Sequence, residues 1–261
     1  MIIVVPVSRY EFEKTLNVFG FLKALRHFGP YRNHQLLVVS RPADKVFAKS
    51  IFDLSKDLFS KSNLHVFDTD GETGWPLGPN FYWKETIKYL KELKNKHPWF
   101  WMELDVIPLK PKWVDVLDKE YKRAGKPYMG ILQDTTTTTM DNVQINIAKH
   151  LQGTAVYPHN IHDICDIWEY VDKIKIAFDV ICQWQIAPNT HDTDLIQQGF
   201  RTINYKILEN PLVIKGEDNG DYNGVTRYDD SINANAVVHH GCKDDTLANI
   251  VTSPTYNIFL K

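Results

Sequence analysis

Two carboxylate side chains lie two residues apart in the most apolar stretch of the chain. Glu103 and Asp105 belong to PWFWMELDVIPL, residues 98–109, which the apolar run and the flanking prolines predict to be a buried central strand. Side chains two apart on a strand point to the same side, so both carboxylates could share one cation. An acid pair that is merely solvated, or that caps a turn, is the alternative. Burying two like charges without a counter-ion would be costly, so the apolar surroundings favour a divalent-ion site.

The triplet Glu103-Leu104-Asp105 resembles the DxD-type motif of the A-type (GT-A fold) glycosyltransferases, with Glu in place of the commoner Asp at the first position. In that family the last acid of the motif ligates Mn²⁺ or Mg²⁺, and the first helps to hold the donor's ribose or the water shell of the metal. The resemblance therefore implies that Asp105 is a metal ligand and that Glu103 contacts the metal or the donor.

The segment VVHHGCKDD, residues 237–245, carries a second set of polar side chains at the end of an apolar run. It resembles the C-terminal His-Gly-Lys element of the metal-dependent A-type enzymes, including glycogenin-like ones. The resemblance implies that His240 completes the metal shell and that Lys243 neutralises the diphosphate of the donor. Because the spacing is tighter than the family's H-x-x-G-x-x-K pattern, His239 stays an alternative ligand. The structural alternative, which needs no function, is an ordinary core or surface histidine beside a turn glycine.

The resemblance also assigns donor-binding residues to two loops. In this fold the turn after the first strand often grips the base and ribose, and the candidates there are Pro6, Val7, Ser8 and Arg9. The loop GWPLGPN, residues 74–80, is expected to sit over the donor, with Trp75 covering a base or sugar face and Asn80 capping the next helix. An exposed arginine and a rigid loop with a buried tryptophan are the structural alternatives.

The acceptor side is implied to lie at HLQGTAVYP and HDTDLIQQ, residues 150–158 and 191–198. A carboxylate there would deprotonate the acceptor or stabilise the sugar cation. Asp194 is the first candidate, followed by Asp192 and Asp134, although an aspartate at a helix start usually acts as a cap. The threonine run 135–139 is predicted to be a mobile polar loop, or an acceptor lid.

The elements that must position these residues follow a βαβ pattern. Short β-branched runs alternate with amphipathic helical stretches in the first half, which predicts an α/β fold with a mostly parallel central sheet flanked by helices. We expect one domain over residues 1–261, with a nucleotide-sugar-binding half over about 1–110 and an acceptor-binding half over about 111–261. Helices are expected at 11–28, 43–58, 82–97, 112–124, 161–171 and 194–198, and strands at 2–7, 34–40, 63–70, 98–109, 127–132 and 150–158.

Composition narrows the class of protein. The chain has 261 residues, 43% of them hydrophobic, and balances 30 Lys plus Arg against 32 Asp plus Glu, so it lacks the basic excess of a dedicated nucleic-acid binder. Three cysteines without CxxC spacing argue against a disulfide framework or a cysteine zinc site. The N-terminus reaches Pro6 and Arg9 too soon for a signal-peptide core, and no apolar run approaches the ~18 residues of a membrane span. These features predict a cytoplasmic protein.

Together, the residues and the resemblance predict a glycosyltransferase that uses Mn²⁺ or Mg²⁺ to move a hexosyl or pentosyl group from a nucleotide-sugar donor to a hydroxyl acceptor. A small molecule or glycan is the expected acceptor, and a hydroxymethylated base in DNA is the second choice, for which Lys84–Lys96 is the dense basic segment. A nucleotidyltransferase is disfavoured because IIVVPVSRYEF contains no glycine for a phosphate loop. A non-catalytic nucleotide-sugar-binding module is disfavoured because acids, histidine and lysine occur together.

Overall fold

A computed structural model describes residues 1–9, 18–140, 143–208, 213–218 and 232–259. Its strands, in chain order, are β1 (Ile2–Pro6), β2 (Tyr31–Ser40), β3 (Phe59–Val66), β4 (Trp99–Trp101), β5 (Ile107–Pro108), β6 (Tyr128–Gly130), β7 (Leu132–Gln133), β8 (Thr136–Met140), β9 (Val143–Ile147), β10 (His150–Leu151), β11 (Val156–Tyr157), β12 (Thr190–Asp192), β13 (Ile196–Ile207), β14 (Ile214–Asp218) and β15 (Val238–Cys242).

The helices of the described residues fall between these strands. They are α1 (Val18–Phe28), α2 (Lys45–Ser55), α3 (Leu77–Glu92), α4 (Trp113–Ala124), α5 (Ile161–Ile164), α6 (Phe178–Ile181), α7 (Gln183–Ile186), α8 (Thr246–Val251) and α9 (Pro254–Phe259). Short 3-10 helices cover Pro42–Asp44, Lys56–Leu58, Asp166–Lys173 and Ala187–Asn189.

Within the described residues, seven strands form the main sheet in the order β12-β6-β11-β4-β1-β2-β3. All of them run parallel except β11, which is antiparallel to both of its neighbours. The apolar run of β1 supplies both faces: Ile3 and Val5 pack into one core, and Ile2 and Val4 pack into the other. Helices α1, α2 and α4 cover the first face, and α3 covers the second. The expected α/β class with a mostly parallel sheet flanked by helices is confirmed.

Four other strands form a smaller sheet in the order β14-β13-β15-β5. It is linked directly to the main sheet by the turn that joins β4 to β5. In this sheet β15 runs antiparallel to β5 and parallel to β13. The turn between β4 and β5 therefore lies where the two sheets meet.

The stretch 98–109 is not the single strand that the sequence predicted. Strand β4 ends at Trp101 and β5 begins at Ile107, and between them the amide of Val106 donates to the carbonyl of Glu103 over 3.1 Å. Glu103 and Asp105 thus belong to a turn. The period-2 argument for their shared direction was wrong, and turn geometry brings the two carboxylates together instead.

Three further element predictions were wrong. The threonine run pairs as an antiparallel hairpin of β8 and β9 rather than forming a loop, in keeping with the high strand propensity of β-branched residues. Residues 196–198, predicted as helix, begin β13, where pairing with β15 decides the conformation. The predicted helix 161–171 is one short α-helix followed by a 3-10 helix. The first part of the helix predicted at 11–28, residues 11–17, lies outside the described residues.

Candidate metal and donor site

The pairing of β15 with β5 carries the C-terminal histidine segment to the turn that holds the two acids. His239 pairs with Ile107, and the amide of Cys242 donates to the carbonyl of Asp105 over 3.1 Å. Gly241 lets β15 approach β13 closely, because its φ is +94° and a Cβ there would lie 2.3 Å from the carbonyl oxygen of Gly199. His240 and Lys243, on either side of this glycine, consequently reach the acids.

The side chains of Glu103, Asp105 and His240 form one compact cluster. His240 Nε2 lies 3.2 Å from Glu103 Oε2 and 3.1 Å from Asp105 Oδ1, and one ligand atom from each residue lies within 4.8 Å of the others. Trp101 orients Glu103 by donating its indole N–H to Oε1 over 3.3 Å. Lys243 forms an ion pair with the other carboxylate oxygen of Asp105. Each of these four polar residues was a sequence candidate, and the structure brings all of them together.

The donor atoms of this cluster fit a divalent cation. Asp105 Oδ1 is buried and has no hydrogen-bond donor in suitable geometry, although His240 Nε2 is nearby. Two carboxylate groups and one imidazole nitrogen form a set that Mn²⁺ accepts readily and that Mg²⁺ accepts through its oxygens. The residues present are therefore compatible with the expected metal.

Electrostatics within the cluster are strong. Burial by itself would raise the pKa of Asp105, but attraction from His240 and Lys243 outweighs it and holds that pKa well below its usual range. Burial by itself would lower the pKa of His240, yet Asp105 and Glu103 outweigh it and raise that pKa to about 10. In the metal-free chain the imidazole is thus protonated at neutral pH and acts as the counter-ion of the acids. A metal ion at this position must displace that proton.

Gln198 holds the ring of His240 from behind. It lies on β13 in register with His240 on β15, and its Oε1 makes a hydrogen bond with His240 Nδ1. A carbonyl oxygen accepts, so Nδ1 carries a proton, and the lone pair of the neutral ring is then on Nε2, facing the acids. The sequence prediction missed Gln198 because residues 194–198 were assigned to a helix.

His239, the alternative ligand, points the other way. Neighbouring residues on a strand face opposite sides, and the His239 side chain is 0% exposed in the core behind the cluster. Its Nε2 lies 2.6 Å from the hydroxyl of Tyr205. Burial lowers the pKa of His239 to about 3, so it is neutral there. The geometry favours His240 over His239 as the ligand.

The loop after β1 lies beside the cluster, because β1 and β4 are parallel neighbours whose carboxyl ends meet at one edge of the sheet. Of the predicted donor residues there, Pro6 and Val7 are buried and offer the donor only their backbone, whereas Ser8 is half-buried and Arg9 is exposed. Asp44 fixes this loop by accepting from the amide of Arg9 over 2.9 Å.

Asp44 belongs to a buried network that the sequence prediction did not identify. Its Oδ2 accepts from Arg41 Nε and from the hydroxyl of Tyr82, each over 2.8 Å. The Tyr82 hydroxyl also lies 2.7 Å from the carbonyl oxygen of Val7. The only sequence signal was a pair of charges three residues apart, which is common on surfaces. The network makes the loop that follows β1 rigid.

The two candidates of the loop at residues 74–80 behave differently. Trp75 is 71% exposed, so it is not a buried anchor and its ring is accessible to a ligand. Asn80 is 0% exposed and lies inside α3 instead of capping it. Its amide nitrogen donates to the carbonyl of Val171 over 2.7 Å, and its oxygen accepts from the amide of Phe178 over 2.7 Å. The prediction that Asn80 caps the helix was wrong, since its polar atoms instead hold the segment 171–178 in place.

The three aspartates predicted on the acceptor side have different surroundings. Asp194 lies just before β13 rather than at a helix start, lines a cavity of 410 Å³ that Gln198 also lines, and accepts from the side-chain amide of Asn235 over 2.7 Å. Asp192 accepts from the backbone amide of Leu132 over 3.0 Å, and Asp134 pairs with Lys149 over 3.0 Å. Only Asp194 of these three lines the cavity beside the cluster.

Asp179, at the start of α6, is a carboxylate that the sequence prediction missed. Burial raises its pKa, His150 opposes that rise, and Glu103 is close enough to add to it. Its Oδ1 accepts from the amide of Val180 over 3.0 Å, while the neighbouring Phe178 ring stacks on Trp83 at 4.7 Å. No residue pattern in AFDV distinguishes it from a surface aspartate. Only the fold brings it near Glu103.

The basic segment Lys84–Lys96 covers most of α3 and the residues that follow it. The end of this segment does not lie beside the cluster. Lys84 pairs with Asp172 over 2.9 Å, and Lys94 and Lys96 line a separate cavity together with Ile2, at the amino ends of the strands. The cluster lies at the carboxyl ends. This basic segment therefore lies largely at the opposite edge of the main sheet.

These features define an α/β protein with a carboxylate–imidazole–lysine site at the carboxyl edge of a mostly parallel sheet. No protein-family model matches the chain, and no curated protein matches its sequence. Within the described residues, no helix is both long and apolar enough to cross a membrane.

Solved structures with a similar arrangement of the chain include a xylosyltransferase, an LgtC mutant and a 4-diphosphocytidyl-2C-methyl-D-erythritol synthase. Mouse xyloside xylosyltransferase 1 aligns at a TM-score of 0.48 with 9% identity, over 76% of this chain and 87% of that chain. An active-site mutant of LgtC aligns at 0.48 with 8% identity, over 93% and 87%. A 4-diphosphocytidyl-2C-methyl-D-erythritol synthase aligns at 0.42 with 11% identity, over 66% and 82%. At these identities and TM-scores, the similarities describe the general arrangement of the chain and carry no information about its reaction.

Proposed function

We propose that the chain is a divalent-metal-dependent glycosyltransferase, which moves a sugar from a nucleoside-diphosphate sugar to a hydroxyl acceptor. The observation that carries this proposal is the convergence of Glu103, Asp105 and His240 with Lys243 at the carboxyl edge of the sheet. Ligands of open α/β sheets collect at this edge. A bare acid pair would suit many functions, whereas an acid pair, an imidazole and an ammonium group together suit a metal-bound diphosphate.

Asp105, His240 and Glu103 are the residues that would hold Mn²⁺ or Mg²⁺. When bound, the ion supplies positive charge against the diphosphate, whose own charge grows as the glycosidic bond breaks. Asp105 contributes a carboxylate that stays ionised through the neutral range, because its pKa is held low. Trp101 limits the rotation of Glu103.

Lys243 is the residue assigned to the leaving group. Its ammonium pairs with Asp105 and is partly exposed, so a diphosphate oxygen can take the place of the carboxylate as its partner. A charge positioned before the reaction stabilises the leaving diphosphate without reorganisation. The backbone of Pro6 and Val7, together with Ser8, Arg9 and the exposed Trp75, is assigned to the nucleotide and sugar.

In the transfer step the acceptor hydroxyl oxygen forms a bond to the anomeric carbon, and the bond from that carbon to the diphosphate breaks. The diphosphate leaves with the electron pair, and the hydroxyl proton passes to a carboxylate. Asp194 is assigned to this role because it lines the cavity beside the cluster. Asp179 is the second candidate, because burial raises its pKa and a raised pKa makes its carboxylate a stronger base.

The proposal favours a small-molecule or glycan acceptor over DNA. A DNA acceptor needs cationic side chains beside the active cleft, since phosphate contacts supply most of the non-specific affinity. Of the lysines in the basic segment, Lys84 pairs with Asp172, and Lys94 and Lys96 lie at the other edge of the sheet. Duplex DNA binding at low salt would bring the DNA acceptor back.

A screen of sugar nucleotides tests the proposal. Each compound is incubated with the protein and Mn²⁺, and release of the nucleoside diphosphate is measured with and without a chelator. We expect slow, chelator-sensitive hydrolysis of at least one sugar nucleotide, which Asp105→Asn abolishes. Lys119→Ala, an exposed lysine of α4, serves as a control that should leave it unchanged. Release of inorganic diphosphate from a nucleoside triphosphate and a sugar phosphate would instead indicate a nucleotidyltransferase.

A further inference from the structure

The cavity beside the cluster has an almost uncharged wall. Its 410 Å³ are lined by the amide-bearing residues Gln133, Gln152, Gln197, Gln198 and Asn233, and among the described residues of this lining Asp194 is the one ionisable residue. Each amide group has both a donor and an acceptor. Such a wall matches hydroxyl groups, which also donate and accept.

The cavity is directly connected to the candidate metal site. Gln198 lines the cavity and also makes a hydrogen bond with His240 through its Oε1. A single side chain therefore separates a molecule in the cavity from the cluster of Glu103, Asp105 and His240. This shared side chain places the cavity next to the cluster, where a group could react with a donor bound there.

One acceptor atom of the wall has no partner. Gln152 donates from Nε2 to Gln133 Oε1 over 2.9 Å, whereas its own Oε1 is buried and accepts no hydrogen bond. A shielded and unpaired acceptor is unfavourable and uncommon in folded proteins. Rotation of the Gln152 side chain amide towards the cavity would let a bound hydroxyl group supply the missing donor.

The charges of the lining disfavour an anion. Among the described residues, the lining contains no lysine, arginine or histidine that could pair with a phosphate or carboxylate, and Asp194 would repel one. Lys110 lies near Asp194, but its ammonium donates to the carbonyl of Ala234 and it does not line the cavity. Ile131, which is half-buried, adds apolar surface of the kind that packs against the C–H face of a sugar ring.

We propose that this cavity is the acceptor subsite, and that it takes a neutral polyhydroxylated group such as an unmodified pyranose instead of a phosphorylated or carboxylated one. Its role in the reaction rests on the proposed function, whereas its preference for uncharged sugars does not. Gln152 contributes the specificity, because it presents the unpaired acceptor.

Binding of sugars without donor tests this preference. Saturation-transfer NMR is recorded with glucose, galactose and N-acetylglucosamine, and with glucose 6-phosphate and glucuronate as charged counterparts. We expect signals from at least one neutral sugar and none from the charged ones. Gln152→Leu should weaken neutral-sugar binding by about tenfold, the equivalent of one hydrogen bond.

Gln185→Leu is the matched control. Gln185 is also half-buried, donates from Nε2 to a side chain, and has an unpaired Oε1, but it does not line the cavity. Binding that Gln152→Leu leaves unchanged, equal loss in both variants, or tighter binding of a charged counterpart would each overturn the proposal.

The two proposals fail in different ways. If metal-dependent hydrolysis of a sugar nucleotide occurs but none of the three neutral sugars binds, the acceptor inference is wrong and the proposed function stands. If a neutral sugar binds and depends on Gln152 but no sugar nucleotide is hydrolysed, the cavity is a sugar site and the proposed function is wrong.

Discussion

His240 Nε2 lies 3.2 Å from Glu103 Oε2, although the two residues are 137 positions apart in the chain. Two local features produce this contact: the turn between β4 and β5 turns the carboxylate out of the main sheet, and the pairing of Val238 and His239 with β5 brings the next residue, His240, to that turn. The contact joins the two sheets at the point where a donor would bind. Changes to either residue should therefore alter metal affinity far more than stability.

Replacement of Asp105 tests the metal assignment. Asp105→Ala removes one carboxylate ligand and the ion-pair partner of Lys243, so Mn²⁺-dependent binding of a sugar nucleotide should fall by at least about 100-fold, more than the loss typical of an outer-shell partner. Glu103→Ala should be milder. Titration calorimetry with and without Mn²⁺ measures both. Wild-type affinity in Asp105→Ala would sink the assignment.

Replacement of Gln198 tests how His240 is held. Gln198→Leu removes the acceptor for Nδ1–H, so the ring can rotate or change tautomer, and Mn²⁺ affinity should fall about 10–100-fold. Gln198→Glu keeps an acceptor and should retain most of the affinity. If Gln198→Leu binds Mn²⁺ like wild type, the hydrogen bond does not orient the ligand. Circular dichroism of each variant checks that the fold is intact.

Metal binding should release a proton. In the metal-free chain the acids raise the pKa of His240 to about 10, above its unfolded value of about 6.5, so the imidazole is charged at neutral pH. Binding needs the neutral ring, and affinity should therefore rise by up to about tenfold per pH unit between pH 6 and 8. With an unperturbed histidine, metal affinity would begin to weaken only below pH ~6.5. With the raised pKa, we expect metal affinity to change with pH already at neutral pH.

The proton can be counted directly. Titrations with Mn²⁺ in two buffers of different ionisation enthalpy, at one pH, give the number of protons released on binding. We expect about one at pH 7 for the wild-type chain and none for His240→Gln, which binds more weakly. Equal heats in the two buffers would show that His240 is not a ligand.

Sequence reasoning identified the residues of the cluster better than the elements that hold them. Asp105 was found as part of an acid pair in an apolar run, and His240 and Lys243 were found through the resemblance of VVHHGCKDD to a His-Gly-Lys element. Neither step depends on knowing the local fold. The strand that was expected to align the acids is instead a turn, and Gln198 was placed in a helix. Pairing with β15 overrides local propensity there, and such long-range pairing is not visible in a window of the sequence.

The βαβ half was predictable for a physical reason. A strand buried on both faces needs a continuous apolar run, and IIVVP in β1 is such a run. The second half has short strands and 3-10 helices whose conformation is decided by contacts such as those of Asn80 with the segment 171–178. Asp179 owes its position to that same segment, so no local pattern could have found it.

His239 should make stability depend on pH. Burial lowers its pKa to about 3, below its unfolded value of about 6.5. Between these two pH values the unfolded chain binds a proton at this residue and the folded chain does not. The stability that neutral His239 contributes is complete above pH 6.5 and is lost as the pH falls toward 3, by about 1–2 kcal/mol between pH 6.5 and 5. Urea unfolding of wild type and His239→Gln at the two pH values measures the difference. A variant as pH-sensitive as wild type would show that His239 is not the cause.

The carboxylate that accepts the proton can be decided by comparing Asp194→Asn with Asp179→Asn. Each change keeps the shape of the side chain and removes its basicity, so the proton acceptor should lose at least about 100-fold in transfer rate with little change in donor affinity. Asp194 lines the acceptor cavity, and we expect Asp194→Asn to show this loss. Asp179 lies near Glu103, and Asp179→Asn should mainly alter how the donor binds, because it removes a charge that opposes Glu103.

Donor affinity from calorimetry and transfer rate to a neutral sugar separate the two effects. A full transfer rate in Asp194→Asn together with a lost rate at unchanged donor affinity in Asp179→Asn would move the role to Asp179.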